Sequence, residues 1–199
     1  MNITKDKTAK NMINTFFTSD THYSHKNICR ATSNWNDLSQ TRDFDSLDTM
    51  NDCIVDGINS KVGKDDVLFH LGDWSFGGKD KIEEFRNRIN CKNVHLIFGN
   101  HDENIFKHYV NKGLFISSQE YLEIKIHNTN FAMFHFPIQT WNNSNKGTIH
   151  LHGHVHGEYF GNEPKNRLDV GIDSYFKYFG KYEPFSYFEI VKILKERNE

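Results

Sequence analysis

The sequence predicts an α/β fold in which two mixed β-sheets pack face to face as a sandwich flanked by helices. Three observations predict it. Apolar runs of strand length alternate with amphipathic segments in the first half of the chain, strand-length runs dominate the second half, and five runs end in clusters of Asp, His, Asn and Gly.

In chain order, Met12 to Thr18 carries Ile13, Phe16 and Phe17 and reads as a buried strand ending at Ser19-Asp20. Asp43 to Val62 reads as a helix, because Leu47, Met50, Ile54, Ile58 and Val62 recur at spacings of three and four. Val67 to Leu71 is a second buried strand stopped by Gly72-Asp73, and Lys79 to Ile89 is amphipathic through Ile82, Phe85 and Ile89. Val94 to Phe98 is a third strand stopped by Gly99-Asn100, followed by a short helix from Glu103 to Asn111 with Gly113 as its terminator. Beyond it, Tyr121 to Ile126, Phe131 to Phe136, Thr148 to Leu151, Arg167 to Val170 and Ser186 to Ile193 all read as strands separated by turn residues, and Lys192 to Glu199 reads as a solvated charged tail.

The 199 residues show no repeat and no low-complexity linker, so a single domain over 1–199 is expected. A net charge of −2 excludes a wholesale basic surface for wrapping duplex nucleic acid. No run approaches the roughly 18–20 apolar residues that cross a bilayer, and Met1 to Lys10 lacks the apolar stretch of a signal peptide, so the cytoplasm is the expected compartment. Cys29, Cys53 and Cys91 are odd in number and scattered, which argues against a disulfide framework.

The chemistry lies at the strand ends. Ligands of α/β sheets gather outside the carboxyl ends of strands, so Ser19-Asp20-Thr21-His22, Gly72-Asp73 and Gly99-Asn100-His101-Asp102 are placed to converge, joined by His135 and by Gly153-His154-Val155-His156. Asp20, His22, Asp73, Asn100, His135, His154 and His156 offer carboxylate, imidazole and amide donors without a thiolate, a set suited to Mn, Fe or Zn. Seven donors are too many for one catalytic ion that must keep a position open, and they suit two ions sharing a carboxylate. In an extended stretch residues two apart point the same way, which puts Asp20 and His22 on one ion, whereas His154 and His156 need a turn to reach different ions. Gly72, Gly99 and Gly153 allow sharp turns and close backbone approach there.

These motifs, in this order, resemble the calcineurin-like metallophosphoesterase superfamily, and His25 and Trp74 in their positions resemble its small phage and bacterial branch. The resemblance spans Phe16 to His156 and extends through Asp169-Val170-Gly171. It implies an α/β/β/α sandwich with one metal on Asp20, His22 and His156, the other on Asn100, His135 and His154, and Asp73 bridging. It also implies His101 near the leaving group, oriented by Asp102, and in-line attack of a metal-bridging hydroxide on phosphorus. The cofactors would be two divalent ions, with Mn²⁺ first and Fe, Zn or Ni as alternatives.

For the remaining residues the default is structural. His150 and His152 are read as structural, and His70, His95, His108 and His127 are given no role. His25 is either a phosphate contact or a helix-start residue. Arg30 and Arg42 could clamp a phosphate through their guanidinium forks, with solvated charges as the default, and Trp35, Trp74 and Trp141 default to core packing unless one stacks on a nucleobase, Trp74 and Trp141 being placed to line the rim of the site. The expected function is a hydrolase of phosphomonoesters or phosphodiesters, with a small nucleotide or cyclic nucleotide as favoured substrate and no stable nucleic-acid or membrane partner. A nuclease and an inactive scaffold of the same fold are the alternatives.

Overall fold

The structure, a computed structural model, describes residues 14–110 and 112–198. Its first sheet contains β1 (Thr15–Thr18), β2 (Val67–His70), β3 (Asn93–Ile97), β4 (Ser117–Gln119) and β9 (Phe185–Ser186) in the order β4-β3-β2-β1-β9. β1 to β4 pair in parallel, and β9 runs antiparallel to β1. The second sheet contains β5 (Tyr121–Ile126), β6 (Thr129–Phe134), β7 (Ile149–His152) and β8 (Arg167–Asp169), with an antiparallel β5–β6 pair and parallel pairs beyond it. The helices are α1 (Leu47–Lys61), α2 (Lys79–Arg88), α3 (Glu103–Tyr109), α4 (Ile172–Phe179) and α5 (Tyr187–Asn198).

Side-chain alternation along the strands builds two cores. Phe16, Leu68, Val94 and Leu96 join Met50, Ile54, Ile58, Ile82, Phe85 and Ile105 of α1–α3 on one face of the first sheet. On the other face Phe17, Phe69 and Ile97 meet Phe131, Met133, Leu151 and Leu168 of the second sheet. Phe17 lies between the layers, with its ring 5.6 Å from Phe69 and 5.4 Å from Phe131. Because β1–β3 are covered on both faces, they read as continuous apolar runs rather than alternating ones. α1 starts where the Ser46 hydroxyl accepts the Thr49 N–H at 3.0 Å. This is the two-sheet α/β arrangement expected from the sequence, with the first part of the Met12–Thr18 strand lying outside the described residues.

The C-terminal fifth differs from expectation. Ser186 to Ile193 is not a strand: the strand is only Phe185–Ser186, and the chain continues as α5. The β-branched and aromatic content of this segment mimics a strand, but Ile190 and Leu194, four apart, are the residues buried. A helix-start signal was present, since Glu189 Oε2 accepts the Ser186 N–H at 2.7 Å and the Ser186 hydroxyl accepts the Glu189 N–H at 3.3 Å. The segment from Lys192 is correspondingly no solvated tail, because Arg197 donates to the Arg167 carbonyl at 2.7 Å and to Tyr178 Oη at 2.9 Å. α4 had no counterpart in the sequence reading, although Gly180 closes it in the left-handed region with its N–H on the Phe176 carbonyl at 2.8 Å. β4, three polar residues, carries no apolar signal at all. The three cysteines are free, and among the described residues no helix is long and apolar enough to cross a membrane.

If residues from 187 onward are part of the core, Leu194→Ala should cost about 2–4 kcal/mol, read as a fall in the chemical-denaturation midpoint. An unchanged midpoint would return this segment to the surface.

Candidate metal centre

The loops that leave β1, β2, β3, β6 and β7 carry all seven candidate ligands. Five of the seven have left-handed backbones: Asp20 (φ 54°), His22 (φ 48°), Asp73 (φ 57°), His154 (φ 73°) and His156 (φ 48°). Asp20 and His22 therefore share a direction through two left-handed turns, not through the extended register expected from their spacing. Such a conformation costs a non-glycine residue roughly 1–2 kcal/mol, and here cross-loop bonds hold it. The Asp20 N–H donates to Gly72 O at 2.9 Å and the His22 N–H to Asp73 O at 3.0 Å, continuing the β1–β2 pairing past the strands. The His154 N–H lies 3.1 and 3.0 Å from the two Asp20 carboxylate oxygens. Glycine is required where loops touch. A Cβ on Gly153 would lie 2.0 Å from Ser19 Oγ and 2.3 Å from Asp20 Oδ2, and one on Gly72 would lie 2.5 Å from the Gly99 nitrogen.

The side chains converge as two overlapping groups. Asp20, His22 and His156 have one ligand atom each within 4.8 Å of the others, and so do Asp20, Asp73 and His135. Asn100 Oδ1 is 3.0 Å from His135 Nε2 and 3.1 Å from His154 Nδ1. Asp73 Oδ2 stands between the groups, 3.6 Å from both His22 Nε2 and His135 Nε2.

The donor set fits divalent ions. His135 spends Nδ1 on the Leu71 carbonyl at 2.7 Å and His156 spends Nδ1 on Asp173 Oδ2 at 2.6 Å. Each ring in its neutral form is left with an Nε2 lone pair facing other acceptors, namely Asn100 Oδ1 for His135 and, at 3.3 Å, His22 Nε2 for His156. Converging lone pairs repel unless a cation, a metal ion or a proton, lies among them. Atoms bound to one ion at about 2.0–2.2 Å sit roughly 3–3.5 Å apart, which is the spacing of these contacts. Burial pushes Asp20 up to about 6 and holds His22 well below its ordinary value, the response of groups placed where only a counter-charge makes ionisation favourable. Burial alone would lower His156 too, but the bond and charge of Asp173 raise it to about 9.

Neighbouring residues correct several expectations. Asp102 does not orient His101: its Oδ2 accepts the N–H of Asp73 at 2.9 Å and of Gly99 at 2.8 Å, and its Oδ1 that of Trp74 at 3.0 Å. Burial raises Asp102 to about 6 despite these donors, and its work is to clamp the β2 loop to the β3 loop. His101 is exposed, with its ring centroid 5.8 Å from that of His22 and 4.9 Å from that of Phe76. His25 heads a short 3₁₀ turn and stacks on Phe76 at 3.8 Å, and burial lowers it to about 4. Arg42 is not solvated but buried, paired with Asp173 at 2.8 Å, whereas Arg30 is half-exposed beside Asp43.

Trp74 is fully buried against Phe85, so it is core rather than rim, and Trp141 donates its indole N–H to Thr148 O at 2.8 Å. Trp35 is 40% exposed and edge-on to His25. His150 and His152 are buried and bond to the carbonyls of Ala132 and Gly153, and His70 bonds to Thr21 Oγ1 at 2.9 Å. Asp173, Phe76 and Phe136, the last 4.6 Å from the His154 ring, are site residues that the sequence reading missed. A cavity of about 830 Å³ opens beside the centre, walled by Arg42, His156, Asp173, Phe176 and Tyr182.

Asp102→Asn should lower stability by about 2–3 kcal/mol in thermal melts while leaving the shape of the pH–rate profile intact. An unchanged melt combined with a shifted profile would restore a role in orienting His101.

The geometry can be set beside known proteins. The sequence pattern of the calcineurin-like phosphoesterase family matches residues 13–178. An uncharacterized protein of Methanocaldococcus jannaschii is 24% identical over 188 residues, covering 91% of each chain. The gene 66 protein of Mycobacterium phage D29 is 28% identical over 193 residues, covering 82% of this chain and 90% of its own. The crystal structure of a protein of unknown function from Aquifex aeolicus shares the fold, with a TM-score of 0.67 at 22% identity over 92% of this chain and 100% of its own. The family match takes in every strand end that carries a candidate ligand, and the chain belongs to the calcineurin-like phosphoesterase family.

Proposed function

We propose that this chain hydrolyses small phosphate esters, monoester or diester, with two divalent ions held by Asp20, His22 and His156 on one side and by Asn100, His135 and His154 on the other, Asp73 being shared. The observation that carries the reading is the position of Asp73 Oδ2, 3.6 Å from one imidazole of each group. Bound there, the ions would supply Lewis acidity toward phosphoryl oxygens and lower the pKa of water at neutral pH. Mn²⁺ is the first choice for this mixed nitrogen and oxygen set, because neither a thiolate nor an all-oxygen cage is present among these donors.

The protein's own part is placement. Asp73 Oδ1 accepts the His101 N–H at 2.9 Å, which ties the shared carboxylate to the residue assigned to the leaving group. His101 is exposed beside the two groups, placed to meet an ester oxygen and give it a proton. Trp35, 40% exposed and in edge contact with His25, is an aromatic ring on which a base could stack, which supports a small nucleotide as the favoured substrate. Phe136 beside His154 and Phe76 beside His101 supply apolar walls that limit water at the reacting ester. No extended nucleic-acid partner is proposed, in keeping with the net charge of −2, and the cytoplasm is the proposed compartment.

The test is metal analysis of the purified protein together with turnover of nitrophenyl mono- and diesters and of mono-, di- and cyclic nucleotides with Mn²⁺ supplied. His101→Ala should keep both ions and lower kcat by about 10²–10⁴-fold. Asp73→Asn should reduce occupancy of both sites together. Full retention of two ions in the Asp73 variant would remove the shared carboxylate, and a wild-type protein that binds two ions but turns over no ester would leave an inactive scaffold.

A further inference from the structure

Arg42 precedes α1 in an irregular segment, where a charged side chain is ordinarily solvated, yet its side chain is only 2% exposed. A buried guanidinium is costly unless its donors are used, and here four bonds use them. Nε and Nη2 each hold one oxygen of Asp173 at 2.8 Å, Nη2 also reaches the Asp20 carbonyl at 2.6 Å, and Nη1 reaches the Thr21 carbonyl at 2.8 Å. Asp173 passes the contact on, because its Oδ2 accepts His156 Nδ1–H at 2.6 Å.

The targets of this fork fall on one side of the centre. Asp20 is reached through its own carbonyl. His22 is reached through the carbonyl of the peptide that precedes it, and His156 through one carboxylate. These three residues form one of the two ligand groups, and of them only Asp20 also belongs to the other. His135 is held by the Leu71 carbonyl and His154 through its N–H on Asp20, so neither is touched by Arg42 or Asp173 directly.

We propose that Arg42 is a positioning residue for the ion site of Asp20, His22 and His156, setting its affinity through Asp173 and the 20–21 backbone and acting far less on the Asn100, His135 and His154 site, which it reaches only through Asp20. The left-handed turns at Asp20 and His22 aim two carbonyls inward, where no water is available, and the guanidinium is the donor that keeps those peptide planes in place. The carboxylate behind His156 fixes its tautomer and makes Nε2 a better donor to a cation. Removing such a partner commonly costs 10–100-fold in metal affinity. Lysine cannot substitute, since a compact ammonium does not span a carboxylate and two carbonyls at once.

This proposal rests on the two-ion reading, and it is tested by Mn²⁺ binding to metal-free protein, not by turnover. Calorimetric titration is performed in two backgrounds: His135→Ala, which should keep the Asp20 group, and His22→Ala, which should keep the other. Arg42→Lys and, as a milder second variant, Asp173→Asn should each weaken Mn²⁺ binding about 10–100-fold in the His135→Ala background and weaken it far less in the His22→Ala background, with circular dichroism reporting the fold. Equal weakening in both backgrounds, or none in the first, would overturn the role of Arg42. Should Arg42→Lys not fold, Asp173→Asn decides by the same criterion. If His22→Ala and His135→Ala fail to separate two binding events in the otherwise wild-type chain, the two-ion reading itself falls.

Discussion

Aspartate carboxylates that accept backbone N–H groups from a neighbouring loop are the interaction on which the site depends. Asp20 receives the N–H of His154, and Asp73 that of His101. Asp102 receives those of Asp73, Trp74 and Gly99, while Asp169 receives those of Gly157 and Gly171. The bonds from His154, His101, Asp73, Trp74 and Gly157 cross from one loop to another that carries or adjoins a candidate ligand, while those from Gly99 and Gly171 brace the turn of the accepting aspartate itself. Bonds of this kind are charge-assisted, and each is worth about 1.5–3 kcal/mol, enough to offset the backbone cost of a left-handed residue. The loops thus fix one another, and the sheets beneath need only deliver them to the same end of the molecule.

That arrangement explains why strain collects at the candidate ligands. A residue in the left-handed region turns the chain within one step, so a side chain can point back over the sheet it has just left. Five of the seven candidate ligands use this device, and Asp and His are among the non-glycine residues that tolerate it best. Glycine fills the positions in between where a Cβ would strike a ligand or a neighbouring backbone, as at Gly72 and Gly153. The glycine that precedes the two histidines of Gly153-His154-Val155-His156 is a steric requirement as much as a chemical one.

The candidate ligands could be picked out in the sequence because cation chemistry restricts such donors to a few residue types, and because those types recur where apolar runs stop; the structure brings them to one place. The strands of the first half were legible for a similar reason, since burial on both faces leaves an unbroken apolar run. What escaped is what depends on distance in the chain. Arg42 and Asp173 are 131 residues apart, and nothing near either one distinguishes a buried pair from two solvated charges. Asp102 follows His101 directly, which invited a side-chain partnership, but the polypeptide turns there and the carboxylate faces the backbone of the β2 loop. α5 was misread because aromatic and β-branched residues favour strands locally. The two-residue β9 and the Ser186–Glu189 cap hand the chain to a helix that packs on β1 and β8.

The two ligand groups are also chemically unlike. Behind His156 stands a carboxylate that is itself held ionised: burial alone would raise Asp173, but the charge and hydrogen bonds of Arg42 keep it well below the usual carboxylate range. Behind His135 stands a neutral carbonyl, that of Leu71, and the group is completed by the amide oxygen of Asn100. A charged acceptor polarises an imidazole more than a carbonyl does, and an amide oxygen donates less strongly than a carboxylate, so the two sides differ in donor strength toward a cation. Asp73, placed between the two, then faces unequal neighbours across a single oxygen. With two ions bound as proposed, such a pair would offer a phosphate ester two different electrophilic positions, a difference set partly by Asn100 and partly by Asp173 and Leu71, which bear no candidate ligand atom.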